Sequence, residues 1–265
     1  MEAEGYLYLP GFLDREAVCS VRSQICAVLN REGLLDENFP VEHAIARKGP
    51  AMYFRPDIAE KGPAAESLKR LIYGEKIMSF FDDFLGSLAM HYDYTWLRAV
   101  SPGMGTQPHC DFVYMGRGTK DLYSCWTPLG DIPLDVGGLI LIESSHHDSL
   151  LRETYSGLDV DATCANRPNE NPLEAAGFSK HGAIGADISR VRDRTGGRLL
   201  TAEEFRMGDV LIFSALTVHG SLDNGSNQIR LSSDSRYQRA NEIADERWIG
   251  EHPPGHGKLV RGMIC

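Results

Sequence analysis

Two periods of apolar residues run along this chain. Val18, Val21, Ile25 and Val28 recur every three or four positions, the spacing that lines one face of a helix. Asp14 stands ready as an N-cap, and Glu16 suits the first turn. The pattern predicts a helix over 15–31. A second helical stretch is predicted over 64–85, broken near Gly74, with Ile77, Phe80, Phe81, Phe84 and Leu88 as its stripe. Both stripes read as scaffold packed on a sheet. Ahead of them, Gly5 to Leu9 alternates and stops at Pro10-Gly11, a short strand. Pro56 is expected to end regular structure after Met52-Tyr53-Phe54.

From Tyr92 the period falls to two. Strands are predicted over 94–100, 111–115, 122–129, 138–143, 209–218 and 229–237. Turn formers such as Pro102-Gly103, Gly116-Arg117-Gly118 and Asn224-Gly225 separate them. Helices first and strands after predict an α+β fold, mainly β. Many short strands point to a barrel or double-sheet jelly roll, with the N-terminal helices on the outer face of one sheet. The length suits a single domain over 1–265. Residues 1–91 form its helical support, and 92–151 with 201–238 its β core. Residues 152–200, rich in Gly, Asn, Pro and charge, read as an insertion or lid over the mouth. Residues 239–265 read as an irregular tail.

Composition narrows the function. The formal net charge of −10 argues against a nucleic-acid or anionic-membrane partner. The six cysteines, with no Cys-x-x-Cys pair, predict reduced thiols and a cytoplasmic setting. Neither a secretory leader nor an apolar run long enough to span a bilayer is expected.

The chemistry centres on Gln107-Pro108-His109-Cys110-Asp111. In extended backbone His109 and Asp111 point to one face and Cys110 away. His-x-Asp occurs three times here, so the triplet alone decides little. His91 reads as a surface or capping residue, and His146 and His147 as structural residues in a turn. His109 and Asp111 differ because His219 follows at the end of an apolar strand, with Arg230 eleven positions on. Two His and one carboxylate make the facial triad of non-haem Fe(II). Zinc can use the same donors, but Arg230 favours a bidentate carboxylate nearby. A co-substrate with a chelating end and a distal carboxylate satisfies both.

These residues resemble the phytanoyl-CoA dioxygenase family of Fe(II)/2-oxoglutarate oxygenases. The resemblance rests on His109-x-Asp111, Trp126-Thr127-Pro128-Leu129, Gly137-Gly138-Leu139, Ser144-Ser145-His146, His219-Gly220-Ser221 and Arg230-Leu231-Ser232. Ser144 stands where glycine is common in the family. The resemblance implies a double-stranded β-helix (jelly-roll, cupin-like) with iron at its mouth. It implies His109, Asp111 and His219 as iron ligands and Arg230, helped by Ser232, as the anchor for 2-oxoglutarate. Trp126 would line that pocket, while Thr106 and Gln107 would contact cofactor or substrate. Asp111 argues for oxygen chemistry, since halogenating relatives lack this carboxylate. The expected activity is O2-dependent hydroxylation, or another oxidation, of a small organic metabolite, giving succinate and CO2. The alternatives are an acyl-CoA 2-hydroxylase of the same family, and a cupin-like metal enzyme or binding barrel that does not use 2-oxoglutarate.

Overall fold

The computed structural model describes residues 1–265. The chain opens with β1 (Tyr6–Leu9), then α1 (Arg15–Arg31), α2 (Pro56–Glu60), α3 (Pro63–Ile72) and α4 (Glu75–Leu85). There follow β2 (Ala89–His91), β3 (Trp96–Val100), β4 (Thr106–His109), α5 (Phe112–Met115), β5 (Tyr123–Pro128), β6 (Ile132–Pro133) and β7 (Leu139–Ile142). The next stretch carries α6 (Ser149–Glu153), β8 (Ala162–Cys164), α7 (Pro172–Ala175) and α8 (Ile188–Thr195). The chain closes with β9 (Leu199–Leu200), β10 (Glu204–Phe205), β11 (Val210–Ser214), β12 (His219–Ser221), β13 (Arg230–Arg239) and β14 (Arg261–Met263).

Two antiparallel sheets carry the site. The larger runs β1-β11-β5-β13-β2, with β3 also paired to β13. The smaller runs β4-β12-β7-β9. Trp126 on β5 and Leu211 and Phe213 on β11 meet Leu139 and Leu141 of β7 in one buried cluster, so the two sheets face each other. Alternation along β13 then sorts its side chains. Leu231 and Tyr237 turn outward to the helices, while Arg230, Ser232, Asp234 and Arg236 turn inward.

The helices form because their apolar spacing matches that outer face. The Asp14 carboxylate accepts from the Ala17 N–H at 2.8 Å and starts α1. Val18, Val21, Ile25 and Leu29 are then buried beside Leu97, Ala99 and Leu231, each contributing about 1.5–3 kcal/mol. α4 stops at Gly86, whose φ of 64° suits glycine. Its Phe81 stacks on Tyr237 at 3.9 Å, locking α4 to β13.

Several expectations are corrected. The mix of helix and sheet is as expected, but with eight α-helices beside fourteen strands the share of helix is too large for a mainly β fold. Pro56 opens α2 instead of ending structure, because proline's missing N–H costs nothing at the first helical position. Residues 111–115 are not a strand: Asp111 takes helical angles (φ −61°, ψ −24°) and leads into α5. The apolar strand over 209–218 breaks after Ser214, where the Thr217 N–H bonds to the Ser214 carbonyl. His219 therefore opens a strand of the other sheet. His91 lies in β2, stacked on Tyr73 at 3.9 Å, rather than ending a helix. Residues 152–200 hold helices around Tyr155, Leu173, Ile184 and Val191, packed on Cys110, Val113 and Val218. The tail is not wholly irregular, since β14 pairs in parallel with β8.

The thiols are not all reduced: Cys164 and Cys265 form a disulfide across 101 positions of sequence, a pairing no spacing rule reveals. No helix is long and apolar enough to cross a membrane. The disulfide clips the tail to the segment before α7, and Lys258 and Arg261 lie exposed inside the clipped stretch. Reduction is expected to free this stretch and leave the sheets folded. Trypsin digestion read by mass spectrometry should show several-fold faster cleavage after Lys258 and Arg261 under reducing conditions, with little change in the unfolding midpoint.

Candidate active site

The turn after β4 builds one half of the site. β4 ends at His109, and Cys110 drops its Sγ among Val113 and Ile142, where it donates to the Leu216 carbonyl at 3.2 Å. Asp111 then starts a helical turn, so it shares a side with His109 through helix geometry rather than strand alternation. β12 supplies the other half. His219 lies directly opposite His109 across the β4–β12 pairing. Gly220 permits that pairing, since a Cβ there would stand 2.6 Å from the Thr106 carbonyl oxygen.

Both imidazoles are held in one tautomer. The His109 Nδ1–H donates to the Gln107 carbonyl at 2.8 Å, and the His219 Nδ1–H to the Thr217 carbonyl at 3.0 Å. A carbonyl can only accept, so each Nε2 keeps its lone pair for the centre. Asp111 Oδ1 lies 3.5 Å from His109 Nε2 and 3.7 Å from His219 Nε2. All three ligand atoms fall within 4.8 Å of one another, and all three residues are buried. The set fits a divalent metal with borderline preference for N and O donors.

Asp111's other oxygen is spoken for. Oδ2 accepts from Arg236 Nη2 at 2.8 Å and from the Ser124 hydroxyl. Arg236 is itself buried, its guanidinium 4.4 Å from the Trp96 ring centre. Burial alone would raise the Asp111 carboxyl. The Arg236 charge, with His219 and His109, overcomes burial and holds it well below the usual range. Burial and the neighbouring His109 push His219 down to about 4. At neutral pH both His219 and Asp111 therefore stand ready as donors.

A small cavity of about 20 Å³ is lined by both imidazoles and by Arg230, Arg98 and Asp234. Arg230 is buried, with Nη1 donating to the Gly137 carbonyl and Nε without a partner. Gly137 sits at φ 83°, a backbone state that suits glycine. Burial, with the Arg98 charge beside it, lowers Arg230 to about 10. A buried guanidinium with no carboxylate on it fits an anion. Trp126, T-shaped against Phe205 at 4.9 Å, lines this cavity, as does Thr106. The Ser232 hydroxyl is buried without a partner on the Arg230 face of β13, but Ser232 does not line the cavity. Gln107 is exposed and contributes its carbonyl to His109.

In front of His109 and Asp111 opens a larger cavity of about 650 Å³. Its walls include Tyr53, Phe54, Tyr94, Trp96, Tyr114 and Trp248. The remaining sequence candidates lie elsewhere. His146 and His147 both bond to the Glu2 carbonyl and fasten the N-terminus.

Sequence reading missed Ser124, Arg98, Asp234 and Arg236. The signal for the last two is parity, since Asp234 and Arg236 follow Arg230 by even steps on one strand. Arg98 sits on β3 opposite Ser232, and its Nε donates to Asp234 Oδ2.

Two outcomes are expected. The unfolded His219 imidazole protonates as pH falls through about 6.5, whereas the folded one waits until about 4. The metal-free protein should therefore lose up to about 3 kcal/mol between those values, and this part of the loss should vanish in His219→Gln. Urea unfolding at pH 7 and 4.5 measures it. Arg236→Met strands a buried carboxylate and should cost about 3–5 kcal/mol in the same assay at pH 7.

Comparison with known proteins gives this geometry its setting. The phytanoyl-CoA dioxygenase family profile matches residues 1–232. A 1-deoxypentalenic acid 11-beta-hydroxylase of Streptomyces exfoliatus is 26% identical over 273 aligned residues, covering 99% of this chain and 87% of that one. The non-heme alpha-ketoglutarate-dependent carbocyclase SnoK from nogalamycin biosynthesis superposes with a TM-score of 0.63 at 18% identity, over 100% of this chain and 90% of that one. HygX from Streptomyces hygroscopicus, solved with nickel and 2-oxoglutarate bound, superposes with a TM-score of 0.53 at 17% identity, over 91% and 84%. With most of its length matched by the family profile, the chain belongs to the phytanoyl-CoA dioxygenase family and is an iron- and 2-oxoglutarate-dependent oxygenase.

Proposed function

We propose that this oxygenase acts on a small organic metabolite, with His109, Asp111 and His219 holding Fe(II) and Arg230 anchoring the distal carboxylate of 2-oxoglutarate. The observation that carries the reading is the buried Arg230, paired to no carboxylate of the chain, lining one cavity with His109 and His219. When bound, iron and 2-oxoglutarate supply the oxidising chemistry: O2 is consumed, succinate and CO2 leave, and one oxygen enters the substrate.

The chain's residues orient and shield that chemistry. Carbonyls of Gln107 and Thr217 aim the two imidazoles. Arg236 and Ser124 occupy one Asp111 oxygen and leave the other for the metal. Trp126 and Leu139 keep the co-substrate end apolar and dry. Thr106, bonded to the Tyr53 hydroxyl, borders both cavities and separates co-substrate from substrate. Residues 152–200 act as a lid, bringing His181 and Ala183 to the substrate cavity and fixed to Tyr114 by its bond to the His181 carbonyl at 2.8 Å. The two facing antiparallel sheets support a double-stranded β-helix as the underlying scaffold.

Anaerobic addition of Fe(II) and 2-oxoglutarate should produce a weak visible charge-transfer band. His219→Ala should abolish it. Arg230→Ala should weaken 2-oxoglutarate binding about 100-fold, the scale of two lost charge-assisted hydrogen bonds, and leave iron binding nearly unchanged. Iron binding with no band on adding 2-oxoglutarate would refute the assignment.

A further inference from the structure

The charges lining the two cavities do not cancel. Arg98, Arg230 and Arg236 face inward, against only two carboxylates, Asp111 and Asp234. All five residues are buried. Fe(II) brings two positive charges and 2-oxoglutarate two negative, so loading the site leaves one positive charge over. Buried charge is stable only when paired, so a third component should carry the missing negative charge.

Arg98 is the guanidinium placed to meet it. Its Nε is taken by Asp234 and its Nη1 donates to the Tyr53 hydroxyl at 2.9 Å, while Nη2 makes no hydrogen bond. Nη2 is also not among the covered, unpaired atoms, unlike Nε of Arg230 and both Nε and Nη1 of Arg236. Arg98 borders the large cavity, with the Phe54 ring centre 4.6 Å from its guanidinium carbon. The rest of that wall is unusually aromatic and carries no acid except Asp111. Flat π faces suit stacked or edge-on ring carbons, and a rigid ring system loses little freedom on binding. A CoA ester would bring several phosphate charges to a site with one left to balance.

We infer that the substrate is a compact, ring-bearing organic monoacid whose carboxylate is read by Arg98 while its rings lie against Tyr53, Phe54, Trp96 and Trp248. This rests on the iron and 2-oxoglutarate assignments above. The net charge of the whole chain, −10, makes the local positive excess a property of this cavity and not of the surface.

The test uses the full chain loaded with Mn(II), which does not turn over, and 2-oxoglutarate. Calorimetry measures binding of cyclohexanecarboxylic, 1-adamantanecarboxylic and dehydroabietic acids, each against its own primary amide. At least one acid should bind tenfold or more tightly than its amide. Arg98→Gln should bring that pair within twofold, while Arg98→Lys, which keeps a cation beside Asp234, should keep both the preference and wild-type affinity for 2-oxoglutarate. Equal binding of acids and amides, binding of no acid, or a preference that survives Arg98→Gln overturns the inference. So does a loss of 2-oxoglutarate binding in Arg98→Lys, which would make the Arg98 guanidinium part of the co-substrate site. If the wild-type protein binds Mn(II) but not 2-oxoglutarate, the functional reading itself falls, and this inference with it. The wild-type acid–amide comparison stands even where a variant fails to fold.

Discussion

A carboxylate enclosed with two imidazoles is tolerable only if something nearby carries positive charge before any metal arrives. Arg236 does this for Asp111, and the rest of the architecture serves to put it there. It lies on β13, a ten-residue strand paired with β5, β3 and β2. The same strand delivers Arg230 and Asp234 to the interior by alternation. Its outer side chains, Leu231 and Tyr237, are clamped by α1 and α4. The N-terminal helices thus bear on the chemistry without touching it, because they fix the strand that carries the cations.

Much of the site was legible in the sequence. His109, Asp111 and His219, which the structure gathers within 4.8 Å, and Arg230, which lines a cavity with both imidazoles, could be picked out because metal and carboxylate recognition would need few residue types at restricted spacing. The route to their geometry was less legible. Asp111 shares a side with His109 through a helical turn, and His219 opens a second-sheet strand instead of closing an apolar one. Propensity does not distinguish these cases, since Phe112-Val113-Tyr114-Met115 suits a strand as well as a turn of helix. Arg236 was overlooked because a charged residue on a strand ordinarily faces water. Only the helices packed on the opposite face of β13, and the second sheet facing this one, turn that face inward. Pro56 was misread for a related reason: proline breaks a helix in its middle and favours one at its start.

The insertion and the tail were the least readable parts. They are held by long-range polar contacts that leave no periodic trace. Arg247 is buried and bonds Asp245, Asp159 and Asp161. Arg117 adds a second bond to Asp159, and His256 one to Asp161. This network joins residues from the loop after α5, the insertion and the tail. The disulfide from Cys164 to Cys265 closes the same assembly from its other edge.

The large cavity therefore has two walls of different origin. The inner wall is strand, with His109, Arg98, Trp96 and Arg236 fixed by sheet hydrogen bonds. The outer wall comes from separate connecting segments: Tyr53 and Phe54 before α2, His181 and Ala183 from the insertion, Trp248 and His256 from the tail. Connecting segments tolerate substitution and changes of length far better than paired strands. Such a partition lets the outer wall of the large cavity change while the His109, Asp111 and His219 cluster stays fixed. Diversity of substrates on one chemistry is built into how the chain is partitioned.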